Sequence, residues 1–251
     1  MPDHPTAPSL QRRSFVSRLG AGLAAFGSAF VVSAPALGAQ GEGVGESPTG
    51  MQRNGYRAPD DWRPLRHPED EWLEQIPGKH RFFFDATSPG GAGEAVTFAS
   101  NFYNASKSGY SLEDSDNAVV ICLRHWATPF AFTDAIWAKY GSPLSERIKF
   151  TDPKSQQAPT TNVYQASGYG MQLTSRGTTF DQMIGRGTHF AICDAATRAF
   201  AGIVAGKMGL DSDAVYREMR AHTIGNAHYV AAGIVAVNRA QERGYAIQHI
   251  G

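Results

Sequence analysis

The chain has little cysteine, no excess of either charge sign and no long unbroken apolar run. Its 251 residues include two cysteines, Cys122 and Cys193, which excludes a disulfide-dense scaffold. Neither belongs to a C-x-x-C pair, so a cysteine-built zinc site is excluded too. Lysine and arginine number 23, as do aspartate and glutamate, for a formal net charge of zero. No overall field therefore draws the protein to nucleic acid or to an anionic membrane surface. His189, His222, His228 and His249 show no H-E-x-x-H spacing, and no Walker lysine follows a glycine-rich turn. Metal and nucleotide binding have no motif behind them, and no cofactor is expected.

What is present begins with an address. In "QRRSFVSRLGAGLAAFGSAFVVSAPALGAQ" the pair Arg12 and Arg13 precedes Phe15, and an uncharged, Gly/Ala-rich run extends from Leu19 to about Ala36. That run is short and weakly apolar for a membrane span. It closes on small residues, at Ala34-Pro35-Ala36 or at Ala39, as a signal peptidase site does. The arginine pair resembles a Tat-type signal, which a receptor reads and which does not act as an anchor. Residues 1–39 are thus expected to be a cleaved leader and the mature protein to be periplasmic, with no membrane contact after cleavage. About 210 residues then remain, enough for one domain with a sizeable core.

Residues 40–79 are rich in Gly, Pro and charge, without a sustained period. They read as an extended arm, docked through Trp62 and Trp72. From His80 to Gly251 the pattern changes. "RFFFDAT" (81–87), "AVVICLR" (118–124), "HFAIC" (189–193) and "YAIQHI" (245–250) are strand candidates, and the first three are continuous apolar runs, as in strands covered on both faces. Apolar stripes at helical spacing lie between them: Ala95, Phe98, Ala99 and Phe102; Phe132, Ala135, Ile136 and Tyr140; Ala196, Ala199, Phe200, Ile203 and Val204. A further helix is expected over 232–243, ending at Gly244. Alternation of strand and helix predicts an α/β fold, a mostly parallel sheet between helices. From about 141 to 178 the chain is polar and aperiodic, which predicts a long loop; Tyr164, Tyr169 and Met171 mark it as an ordered cover.

Ligands of open parallel sheets collect beyond the carboxyl ends of the strands, so three loops carry the candidate chemistry. "DATSPGGAG", with Asp85 and Ser88, lacks the full dinucleotide fingerprint and reads as a tight turn into a helix. "RHWATPFAF" places Arg124 and His125 at a strand end and Thr128-Pro129 at an expected helix start. Histidine there serves as a proton donor or acceptor, or makes a structural hydrogen bond. "HFAICDAATRAF" stops a strand at Cys193 and turns into a helix near Ala195. The free amides and dipole of a helix start favour an anionic sulfur. Asp194 is a candidate cap of the same helix, and its charge opposes that effect. Cys122, inside an apolar strand, reads as a small core hydrophobe.

"GTHFAICDAATRA" together with "AAGIVAVNRAQERGYAIQHIG" resembles the DsrE/DsrF-like family over roughly residues 81–251. Its members have a strand ending in cysteine, then a helix, and close with a glycine-containing helix, a Q-x-x-G-Y/W turn and a last strand. Gln241, Gly244 and Tyr245 fill the closing pattern here. The resemblance implies a three-layer α/β/α domain with about five strands, assembly as a homotrimer or homohexamer, and a role for Cys193 as carrier of persulfide sulfur. Relay members of the family work in the cytoplasm, whereas this chain carries an export-type leader. Two functions follow as expectations. One is thiol or persulfide handling through Cys193, with Arg124 or His125 supplying charge or a proton to a small sulfur-containing ligand. The other is a non-catalytic oligomeric module that binds a ligand or partner. A structural Cys122–Cys193 disulfide is a further possibility if the two backbones lie at bridging distance.

Overall fold

Three apolar runs form the middle of a sheet because strands buried on both faces need no polar side. A computed structural model describes residues 63–251; the expected leader, and Trp62 of the arm, lie outside the described residues. Five strands, β1 (His80–Ala86), β2 (Asn117–Leu123), β3 (His189–Cys193), β4 (Ala227–Val230) and β5 (Ala246–Ile250), form one sheet in the order β4-β3-β2-β1-β5. Every pairing in it is parallel. All seven residues of β2 are buried. β4, with its half-buried sequence AHYV, is a strand that periodicity does not reveal.

Helices cover both faces. Ahead of the sheet comes the short α1 (Trp72–Gln75), and β1 leads into α2 (Pro89–Tyr110). Between β2 and β3 lie α3 (Asp134–Ile148) and α4 (Phe180–Gly185). Next come α5 (Asp194–Met208) and α6 (Ser212–Ala221), while α7 (Gly233–Gln241) joins β4 to β5. The larger core packs α2, α3, α5 and α6 on Phe84, Ile121, Leu123, Phe190 and Ile192. The smaller core packs α1 and α7 on Phe83, Val120, Cys122 and Ala191. The result is the expected α/β/α sandwich. The arm expected over 40–79 is not extended to its end: α1 puts Leu73 and the following Ile76 into the smaller core.

Two boundaries differ from expectation. Helix α3 does not stop at Gly141; it continues through Pro143 to Ile148 and buries Trp137, Tyr140, Leu144 and Ile148. Gly141 is required there because the Pro159 carbonyl occupies the space that a side chain would fill. The segment after it is pinned to the core. The Asn162 amide donates to the Phe130 and Phe132 carbonyls at 2.7 and 2.9 Å, and the Tyr164 hydroxyl donates to the Pro89 carbonyl at 2.7 Å. Tyr164 and Tyr169 are buried, whereas Met171 is exposed. This loop is part of the helical layer over the larger core. Helix α6 is the second departure: only Val215 and Met219 of its ten residues are buried, and Asp211 caps it by accepting from the Ala214 amide.

At the amino ends of β3 and β4, His189 Nδ1 and His228 Nε2 are 2.9 Å apart, and the His228 ring stacks on Trp72 at 4.1 Å. Burial, and next the neighbouring His189, push His228 down from 6.5 to about 4. A depressed histidine means that the unfolded chain takes up the proton first, so stability is whole above about pH 6.5 and declines as pH falls toward 4. The melting temperature is expected to follow that window, and His228→Phe, which keeps a ring on Trp72, should flatten the decline. An equally steep decline in the variant would assign the acid sensitivity elsewhere.

Candidate functional site

The carboxyl ends of β3, β2, β1 and β5 bring Cys193, Arg124, Asp85 and His249 into one row. Asp85 lies opposite Cys122 on β2 and opposite His249 on β5. Strand β2 pairs with β3 up to Leu123 opposite Ile192, so Arg124 and Cys193 are the next step of the same register. Successive residues alternate faces, which puts Asp85, Arg124 and Cys193 on the α7 side, beyond Cys122 and Ala191.

Cys193 is itself the N-cap of α5. Its backbone is extended, and its Sγ accepts the Ala196 N–H at 3.4 Å. The helix therefore starts one residue earlier than expected, and Asp194 does not cap it. The Asp194 carboxylate instead takes the Tyr216 hydroxyl at 2.6 Å, Arg220 at 2.7 Å and Arg198 at 3.1 Å. Those partners consume the negative charge that the sequence set against an anionic sulfur. Cys193 keeps 7% of its surface exposed, Cys122 none. Both are free thiols. Burial pushes the Cys122 thiol well up, which leaves it protonated and inert.

Arg124 does not stand free. Its Nε and Nη2 donate to the two oxygens of Asp85 at 2.6 and 2.8 Å, a bidentate pair. The hydrogen bond to Asp85 raises the Arg124 pKa, and Cys193 lies within its electrostatic reach. The arginine stem lies against Gly233 at the start of α7, where an added Cβ would come within 2.5 Å of Arg124 Cβ. Gly233 is needed for this approach, so the starts of α5 and α7 converge on one mouth. His125 takes another course. Its backbone is left-handed, with φ 56°, and its ring stacks on Trp126 at 5.1 Å and faces the Thr87 carbonyl at 3.4 Å. It contributes to a 3-10 turn over His125–Ala131 that contains Thr128 and Pro129, so the expected helix start there is displaced to Asp134.

Two residues of the row, Asp85 and His249, carry no role in the sequence analysis and are paired only by the fold. Asp85 is nearly sealed, with 4% of its side chain exposed, and accepts from His249 Nδ1 at 3.0 Å in addition to Arg124. Its loop is, as expected, a turn into a helix: Ser88 caps α2 by accepting the Gly91 N–H at 2.9 Å. Gly91 is bare because the Ile250 carbonyl of β5 packs on it, 2.7 Å from the position of a Cβ. Among the described residues no group of three His, Cys, Asp or Glu side chains could hold a metal ion, and no helix is long and apolar enough to cross a membrane.

No family model and no curated protein matches the chain. Among solved structures it is similar to "Protein of Unknown Function MTH1491" from Methanobacterium thermoautotrophicum, at 14% identity over 68% of this chain and 99% of that one, with a TM-score of 0.35. Function has to be argued from the residues themselves.

The packing of Gly233 on Arg124 yields a direct check. Gly233→Ala should cost about 1–3 kcal/mol through overpacking and lower the melting temperature. Gly109→Ala, in a helix with open space around it, should leave that temperature unchanged or raise it. Equal behaviour of the two variants would mean that the α7 start yields without cost.

Proposed function

We propose that the protein is an exported DsrE-like domain that receives sulfur on Cys193 as a persulfide and hands it on. The observation that carries this reading is the cap: a thiol at a strand-to-helix turn whose sulfur accepts a backbone amide of the helix it begins. The thiolate is the reactive form of cysteine, and an amide donor together with the helix dipole favours an anion there. Arg124, next to it in the β2–β3 register, lies within electrostatic reach of the sulfur, with its charge shared with Asp85. In the transfer, the Cys193 thiolate attacks the outer sulfur of a donor persulfide. The donor S–S bond breaks, a new one forms to Cys193, and the donor leaves as its thiolate. Delivery is the same exchange in reverse order, with no net oxidation. His125, turned toward Thr87, has no direct part in this step. Export rests on Arg12, Arg13 and the run that follows them, and assembly as a homotrimer or homohexamer rests on the family resemblance.

A second reading, a non-catalytic oligomeric module, is favoured by one feature. Phe82, Phe84, Phe98 and Phe102 line a groove of about 480 Å³ beside the edge strand β5, and Phe98 is 38% exposed. Apolar surface of that kind suits a partner or a second copy.

Brief treatment of the folded protein with iodoacetamide, read by mass spectrometry, should modify Cys193 and leave Cys122 untouched until the protein is unfolded. An unmodified Cys193 removes the sulfur-transfer reading. Light scattering of the mature protein is expected to give an oligomer; a monomer mass would remove the assembly.

A further inference from the structure

We propose that Asp85 and His249 form an acid–base site, separate from Cys193, for small activated acyl esters or thioesters. The chain order of the strands reverses beside β1. The sheet grows from β1 through β2 and β3 to β4, and the chain then returns to place β5 on the other side of β1. The carboxyl ends of the two strands at such a reversal are where parallel sheets bind small molecules. Asp85 of β1 and His249 of β5 face each other at that place.

Their geometry defines the chemistry. A carboxylate accepts and does not donate, so the 3.0 Å contact fixes the proton of His249 on Nδ1 and leaves the lone pair on Nε2. The His249 side chain is 60% exposed, with Nε2 beside Gly251. Asp85 is a positioning residue and is itself locked by two bonds from Arg124. It cannot swing away from the imidazole without breaking a nearly buried ion pair. Thr87 closes the floor, its amide donating to the Ile250 carbonyl at 3.0 Å. The row thus offers one oriented base and one neutralised cation, so a substrate must bring its own good leaving group. An activated acyl compound does. His249 Nε2 takes a proton from water as the water oxygen attacks the acyl carbon. The adduct expels the alcohol, phenol or thiol as its anion, which recovers a proton from the imidazolium, and the carboxylic acid departs.

The test uses the full-length protein with Cys193→Ser as background, because that thiol would itself take an acyl group. The proposal does not rest on the sulfur-transfer reading, and either can fail alone. With p-nitrophenyl acetate as probe, release of p-nitrophenolate should exceed that of free imidazole at equal concentration and slow in heavy water. His249→Gln, a change at an exposed side chain, should lower the rate about a hundredfold or more, within the range of a positioned base. His80→Gln, at another exposed histidine, should leave it unchanged. Equal loss in the two variants, or a parent rate no higher than that of free imidazole, overturns the proposal. Asp85→Asn should shift the pH profile of whatever rate remains. An unchanged profile in a folded variant removes Asp85 from the site.

Discussion

A carboxylate sealed at the end of a strand is tolerable only if its partners are held as firmly as it is. Asp85 meets that condition with three hydrogen bonds, two from Arg124 and one from His249. Leaving one ion of a buried pair alone costs about 3–5 kcal/mol, enough to fix Arg124 to β1 although it belongs to the end of β2. That fixation decides the rest of the mouth. The arginine stem sets where α7 begins, because Gly233 packs on it, and the guanidinium is held beside the start of α5. The imidazole on β5 is oriented from the other side. One buried charge therefore organises the ends of three strands and two helices.

The two cysteines show how little separates a sealed position from one at a helix start. Cys122 sits inside β2, with helices over both faces of the sheet, and burial first, then the neighbouring Asp85 charge, keeps its sulfur neutral. Cys193 ends its strand, where the backbone leaves the sheet; the Ala195 amide still reaches the Ala231 carbonyl beside β4, and the Ala196 amide has turned toward the cysteine. Its sulfur becomes the partner of that second amide. The difference in setting between the two comes from strand position, and that position was legible in the sequence because "HFAIC" breaks directly into a helical stripe.

Other parts were less legible, for physical reasons. Strands β1, β2 and β3 declare themselves as apolar runs because both their faces are covered. β4 is four residues long and mostly half-buried at an edge, so it carries no comparable pattern. Helix α6 buries two side chains of ten, too few for a stripe. The continuation of α3 was hidden because Gly141 and Pro143 look like a stop, whereas Gly141 is there to admit the Pro159 carbonyl. The pairing of Asp85 with His249 was hidden for a topological reason. They stand 164 residues apart in the chain, and no local pattern tells that β5 returns to lie beside β1.

That return has a consequence for how the molecule comes into being. Thr87, at the end of the first strand, closes on Ile250 across 163 residues of sequence. While the chain is being made, one flank of β1 stays open until nearly all the other elements exist. Loop closures of this span are slow, so that flank of β1 is covered late. The strand that covers it also delivers His249.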